Sequence, residues 1–342
     1  MRTGSWCAAL VLLPALLAAC GGAGADRPPH PGTAEPTPSA VSLEVLTQEV
    51  EAAGRRGLEG GGYVVDLDRS EGGGRRVEVD LVTHRLVATG AEDTVYLAAG
   101  KGRYSSVDRS ERTRLALQYL GRPGARFTFS PDPRITIGPT ISPSTAASQA
   151  YSPADAGPQD RRSWSGPART VRPDGIVYTL RDDDSGATCA WHTDSPDPAR
   201  GRLVRTTCEV GTGVEPAPTT WTYTTPVVAL PDDASVVGFQ EFFDATVAAE
   251  LPDTLRHDAR MFARAANRVA AKEHRSTRVA DLEKLAEQSS EVAGRDLLRL
   301  RTTVDGQGTV HLTGRNPYTR ETLECLVVLR GGKAVAGQVT VR

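Results

Sequence analysis

Cys189 and Cys208 lie equidistant from Pro198-Ala199, inside the turn-rich stretch Ser195-Pro-Asp-Pro-Ala-Arg-Gly201. A chain folded back about that centre sets the two cysteines opposite each other on neighbouring strands of a hairpin. A bridge between them fixes the register, and the register decides which side chains face inward. Cys189, Trp191 and Thr193 then share a side with Cys208, Thr206 and Val204. Closing a loop of this size stabilises by about 3 kcal/mol in the chain-entropy picture.

A bridge needs an oxidising compartment, and the N-terminus predicts one. Arg2 precedes an apolar run over 7–19 that is too short to span a bilayer as a helix, which is the pattern of a signal peptide. The run ends Leu17-Ala18-Ala19-Cys20-Gly21. This resembles the bacterial lipobox, in which small residues let a peptidase cut before a cysteine that receives diacylglycerol; the alternative is an ordinary small-residue cleavage site. Residues 1–19 are expected to leave as the signal peptide, with Cys20 as the lipid anchor on the extracytoplasmic face of the cell membrane. Of five cysteines, Cys7 leaves with the signal, Cys20 is acylated, Cys189 and Cys208 pair, and Cys325 is expected to be a buried strand thiol. Residues 20–40, rich in Pro and Gly, read as a disordered tether reaching up to roughly 60 Å if extended as polyproline.

The formal net charge is -2 with both signs interspersed, so no nucleic-acid groove or polybasic membrane patch is expected. At 342 residues and 39% hydrophobic content the chain can hold two modest cores. Ser42 can cap a helix with Leu43, Leu46, Val50 and Ala53 on one face, ending at Gly54 and Gly57. Short strands follow at 63–67, 76–82, 84–89 and 94–98, then a helix over 112–120. Val77, Val79 and Leu81 alternate with Glu78 and Asp80, as on a sheet with one apolar face. A Ser/Pro/Ala stretch over 134–164 reads as loop, and strands resume at 175–180, 187–193, 203–210 and 219–230.

After Pro231 the periodicity changes. Phe239, Phe242, Phe243 and Val247 form one helical stripe that stops at Pro252. Leu255, Ala259, Phe262, Ala266 and Val269 form a second, and Val279, Leu282 and Leu285 a shorter third. Strands at 297–303, 309–313, 323–329 and 334–341 close the chain. The expected organisation is α+β: a domain over 41–231 and a C-terminal α+β module over 232–342.

Three features of residues 43–230 resemble the LolA-like half-barrel lipoproteins, including the LprG-type lipid carriers. They are the lipobox, tether and opening helix in that order; Asp93-Thr-Val-Tyr-Leu97 with Gly102-Arg-Tyr-Ser-Ser-Val-Asp108; and Tyr223-Thr-Thr-Pro-Val-Val-Ala-Leu-Pro231. The resemblance implies a curved antiparallel half-barrel sheet wrapped on a helix, with a concave face that can hold acyl chains. The sequence departs from that pattern in having few long apolar residues over 134–164 and an extra C-terminal module. In that module the long helix, Ala280-Asp281-Leu282 and the last strands distantly resemble pilin-like headgroups.

Catalytic and metal patterns are missing from the sequence. Asp182-Asp-Asp-Ser-Gly186 has its glycine one place early for an EF-hand, and Thr193 stands where the bidentate glutamate belongs, so it reads as a turn. His84, His192, His257, His274 and His311 lack partners at metal or triad spacing. The glycines at 60–62 and 72–74 precede no lysine-serine pair. We therefore expect a protein that is not an enzyme and uses no cofactor or metal. Val77, Val79, Leu81, Val95, Leu97, Tyr178, Trp191, Val204 and Trp221 have two readings, as sheet core or, in part, as the lining of a ligand cavity. The first expectation is a membrane-anchored lipoprotein that binds or hands on a lipid. The alternative is an envelope scaffold with a filled core that engages a protein partner through its C-terminal module. Replacing Cys20 with alanine is expected to move the protein from the membrane to the soluble fraction on ultracentrifugation; retention in the membrane pellet would contradict acylation there.

Overall fold

In the computed structural model, residues 36–67, 74–138, 152–158, 163–209, 218–290 and 296–342 are described. The expected signal peptide, Cys20, nearly all of the tether, Gly72, Gly73 and much of the Ser/Pro/Ala stretch lie outside the described residues.

Helix α1 (Leu43–Gly57) starts where Ser42 accepts a hydrogen bond from the Val45 amide, which satisfies one of the orphan donors of the first turn. Its apolar stripe Leu46, Val50 and Ala53 is at most 1% exposed. The strands are β1 (Ser39–Ala40), β2 (Gly62–Leu67), β3 (Arg75–Asp80), β4 (Arg85–Thr89), β5 (Thr94–Ala98), β6 (Gly102–Ser106), β7 (Phe127–Pro131), β8 (Trp164–Arg172), β9 (Gly175–Asp182), β10 (Thr188–Thr193), β11 (Leu203–Glu209), β12 (Thr219–Thr222) and β13 (Val236–Gly238). They form one sheet in the order β1-β8-β9-β10-β11-β12-β2-β3-β4-β5-β6-β7-β13. Two meanders thus join where β12 pairs with β2, and all pairs are antiparallel except β7 with β13. The sheet is not closed, and its two edges are strands of only two and three residues, which limits edge-to-edge association.

Local chemistry sets several boundaries that periodicity misplaces. The strand expected over 76–82 stops at Asp80, whose buried carboxylate accepts hydrogen bonds from the amides of Val82 and Thr83 and from the Thr83 hydroxyl. His84 takes φ 53°, so β4 begins one residue later. Cys189 opposes Cys208 and is bonded to it. The register slips between His192 and Thr193, however, so Thr193 faces Leu203 rather than Val204. Leu203 is therefore fully buried and Val204 only partly. Thr193 is pinned on its other side, where its hydroxyl oxygen accepts from the Ile176 amide at 3.0 Å.

The strand expected over 219–230 ends at Thr222, because the chain must cross from the middle of the sheet to its β7 edge. On the way Tyr223 donates to the Leu203 carbonyl, Thr225 to that of Gly60, and Arg85 to that of Val228. Strands β1, β7, β8 and β13 are not expected from the pattern, and β1 takes Ser39 and Ala40, the last residues of the expected tether, into pairing with β8. Helix α2 (Glu111–Tyr119) matches its expected place within one residue.

The rest of the chain gives α3 (Phe239–Ala249), α4 (Leu251–Lys272), α5 (Val279–Ser290), β14 (Arg301–Val304), β15 (Val310–Arg315), β16 (Thr322–Arg330) and β17 (Lys333–Val341). These four strands make an antiparallel sheet in sequence order. Pro252 sits in the first turn of α4, where its missing N–H costs nothing. Leu255, Ala259, Phe262 and Ala266 are buried as expected, but Val269 is 39% exposed and Ala270 takes its place. The strand expected at 297–303 begins as a 3-10 turn, and β14 starts at Arg301. Cys325 is buried on β16.

One core joins α1 to the larger sheet, and a second lies between α4, α5 and the smaller one. From Thr37 to Arg342 the chain is one compact unit. Just past residue 231, β13 extends the larger sheet, while Tyr119 of α2 stacks on Tyr318 and accepts a hydrogen bond from Asn316 at 3.2 Å. No helix among the described residues is long and apolar enough to cross a membrane. Converting Cys189 and Cys208 together to serine is expected to lower stability in denaturant by about 3 kcal/mol; unchanged unfolding midpoints with and without reductant would contradict a structural bridge.

Candidate functional site

Seven of the nine residues with two readings, Val77, Val79, Val95, Leu97, Tyr178, Trp191 and Trp221, are at most 3% exposed and belong to one buried cluster. Leu81, just past the end of β3, packs against the margin of that cluster. Val204 stands outside it, displaced by the bulge that buries Leu203. The sheet brings the seven together because they alternate along β3, β5, β9, β10 and β12 with side chains on the opposite face.

Besides Ile135 and Ile137, which belong to the same buried cluster, two elements fill the space over this face. The first is α1. The second is the segment 152–158, whose Ser152 and Pro153 are buried and whose Ala156 packs on the cluster. The indole N–H of Trp191 donates to the Ala156 carbonyl at 2.6 Å, and the Trp164 ring meets Trp191 edge-on with centroids 6.2 Å apart. A β-carbon on Gly54 would stand 2.1 Å from the Pro153 carbonyl oxygen. Gly54 therefore serves this close approach and does not end the helix, which runs on to Gly57. Sequence reasoning misses both the 152–158 segment and the aromatic Tyr63, which is fully buried.

Polar groups around this core hold α1 in place. Glu49 pairs with Arg169 of β8 at 3.1 Å. Arg56 donates to the carbonyls of Gly201 and Pro198 at 2.8 and 2.7 Å, tying the last turn of α1 to the bridged hairpin. Burial raises the pKa of Tyr178, with the Glu49 carboxylate beside it adding to the rise. Burial also raises that of Tyr63, with Asp155 contributing, and desolvation raises that of Asp155 itself. These groups fix packing; none is an activated nucleophile with a paired base.

Elsewhere the titratable clusters are local. The turn at 182–186 is held by Asp182, which accepts from the Asp184 amide and the Ser185 hydroxyl. Arg275 grips Asp281 through two bonds of 2.6 and 2.7 Å at the start of α5 and holds that carboxyl down at about 2. On the smaller sheet, His311 bridges Glu324 at 2.8 Å and Asp305 at 3.3 Å. No group of three or more His, Cys, Asp or Glu side chains suited to a metal ion occurs among the described residues.

Open grooves lie away from the core. One of about 1010 Å³ runs between the β4–β5 turn, the start of α2 and the approach to β7. A second, about 680 Å³, separates α2 from the start of α4, where Arg112 pairs with Glu250. A third, about 570 Å³, lies between Tyr96, Phe127 and the segment 229–235. None of the three is lined by any of the nine residues.

No family model matches the chain, and no curated protein is similar to it. A solved structure described as an uncharacterized conserved protein from Thermus thermophilus is similar at 12% identity over 58% of this chain and 99% of its own, with a TM-score of 0.28. At that score the likeness carries no argument about fold or function.

The hydrogen bond to Glu324, reinforced by Asp305, raises the His311 pKa above its ordinary value of 6.5. A raised folded-state value means that the imidazolium's contribution is complete below the unfolded pKa and disappears as pH climbs through the folded one. Replacing His311 with glutamine should therefore cost most stability near pH 6 and progressively less toward pH 9, read from denaturant midpoints. A cost that stays constant or grows with pH would contradict the ionic bridge.

Proposed function

We propose that the chain is a lipid-anchored extracytoplasmic protein, not an enzyme, whose larger sheet is a half-barrel wrapped on α1 with a filled core. It acts through its surfaces. The observation that carries this reading is the packing of the residues considered for a cavity lining: seven of them are at most 3% exposed. The side of the sheet where an acyl chain would enter is occupied by α1 and by Pro153 and Ala156. A core closed in this way stabilises the fold through buried apolar area and van der Waals contact.

The C-terminal module supports the surface role. Phe239 and Phe243 stack 6.4 Å apart on α3 while 49% and 52% exposed, and Met261 on α4 is 48% exposed. Exposed aromatic side chains grouped in this way are usual at contact surfaces for other proteins. The anchor and tether put such a surface within reach of other envelope components.

Expressing the chain from Gly21 onward in an oxidising compartment, extracting it with organic solvent and weighing the extract by mass spectrometry tests the reading. A folded protein free of stoichiometric lipid is expected. One defined acyl lipid per chain would overturn the filled core and establish a carrier.

A further inference from the structure

Helix α4 carries a row of cations along its outer face. Arg256, Arg260, Arg264, Arg268 and Lys272 recur at every fourth residue, so the row runs about 24 Å along the helix. Leu255, Ala259, Phe262, Ala266 and Ala270 occupy the opposite side and are buried in the core of the smaller sheet. Arg260, Arg264, Arg268 and Lys272 are exposed. Arg256 pairs with Asp253, while the other four make no ion pair among the described residues. The only acids on the helix, Asp253 and Asp258, lie in its first half, and the nearby Glu273 and Asp281 are taken up by Arg275. Both signs are interspersed along the sequence, which is why no basic patch is expected there; the helical repeat gathers one.

This is not the charge pattern of a face that meets only water. Solvated helices set opposite charges three or four residues apart, as α1 does with Glu51 and Arg55 and α2 with Glu111 and Arg114. On α4 four successive pairs at that spacing are all like-charged, and each such pair destabilises the helix. A counter-charge from outside removes the penalty. The shape of the face narrows what brings it. None of the three grooves includes Arg260, Arg264, Arg268 or Lys272, so no concavity encloses a small anion there. The phenyl ring of α4, Phe262, is buried, which leaves no such ring on the row for nucleic-acid bases to stack on. Met261 is 48% exposed beside Arg260, an apolar side chain set among cations, as at a lipid headgroup boundary.

We propose that the outer face of α4 docks on an anionic phospholipid surface, with Arg260, Arg264, Arg268 and Lys272 facing headgroup phosphates. A straight row of cations on a convex face meets a plane of phosphates along its whole length. Because the apolar side of α4 is buried in the core, the helix lies on the headgroups without inserting, and the attraction is electrostatic and screened by salt. The proposal rests on the lipid-anchored reading for bringing the chain to a membrane: the anchor attaches it, and α4 sets its orientation.

The test is co-sedimentation of the chain from Gly21 onward, which has no Cys20 to acylate, with vesicles of phosphatidylcholine alone and of phosphatidylcholine and phosphatidylglycerol in equal parts. Failure to bind counts against α4 and leaves the anchor untouched, since that reading is decided by Cys20→Ala. Sedimentation with the anionic vesicles only is expected, and its loss at about 1 M salt, where the screening length is about 3 Å. Arg264→Gln and Arg268→Gln together keep helix propensity and should weaken partitioning roughly 25-fold, about fivefold for each cation, without lowering the melting temperature. Arg181→Gln, at an exposed arginine of β9, should leave partitioning unchanged. No sedimentation with anionic vesicles, equal sedimentation with neutral ones, binding that persists in high salt, or indifference to the double substitution would each overturn the proposal. Capture by duplex DNA without vesicle binding would overturn it too, in favour of a nucleic-acid partner.

Discussion

The seating of α1 on one face of the larger sheet is the constraint from which the rest of the molecule follows. Leu46, Val50 and Ala53 lose essentially all contact with water there, and the sheet must present Val77, Val79, Leu97 and Tyr178 to meet them. Three links then hold the helix at its ends and flank. Ser42 caps its start, Glu49 reaches Arg169, and Arg56 grips the hairpin closed by Cys189 and Cys208. The disulfide thus acts on α1 through Arg56 as well as on its own strands. With α1 in place and the 152–158 segment inserted beside it, this face is covered, and the proposed surface role rests on that packing.

The opposite face of the larger sheet carries the partly exposed rings of Tyr96, Tyr104, Phe127 and Phe129, while the helices of the C-terminal module expose Phe239, Phe243 and Met261. Between them, α2 and β13 couple the two sheets: β13 extends the larger one and Tyr119 stacks on Tyr318 of the smaller. The division expected at residue 231 thus separates the two principal cores but not the backbone pairing, because the first strand after it belongs to the larger sheet.

The elements legible in the sequence are those whose signal is local. Ser42 with its apolar stripe gives α1, the alternation around Glu78 gives β3, and the symmetric cysteines give the β10–β11 pairing. Strand β8 is hidden because Gly166 and Pro167 interrupt it at an irregularity in its pairing with β9. Strands β7 and β13 are short and defined mostly by their partners. Val204 is misplaced because a bulge one strand away changes its facing, and the purpose of Gly54 depends on a carbonyl about a hundred residues distant. The rings on the opposite face are the clearest case. Tyr96, Tyr104 and Phe129 each look like an ordinary strand residue, and only the registers of β5, β6 and β7 line them up.

The proposed surface role rests on the core being filled, and Leu97→Ala tests that directly. Leu97 is fully buried within the cluster. Truncating a leucine in a close-packed interior removes its transfer energy and leaves a cavity, a cost of about 2–5 kcal/mol, and this is the loss in denaturant-derived stability that the account predicts. A loss well under about 1 kcal/mol would mean that the side chain borders an existing void, and the account of a filled core would be wrong.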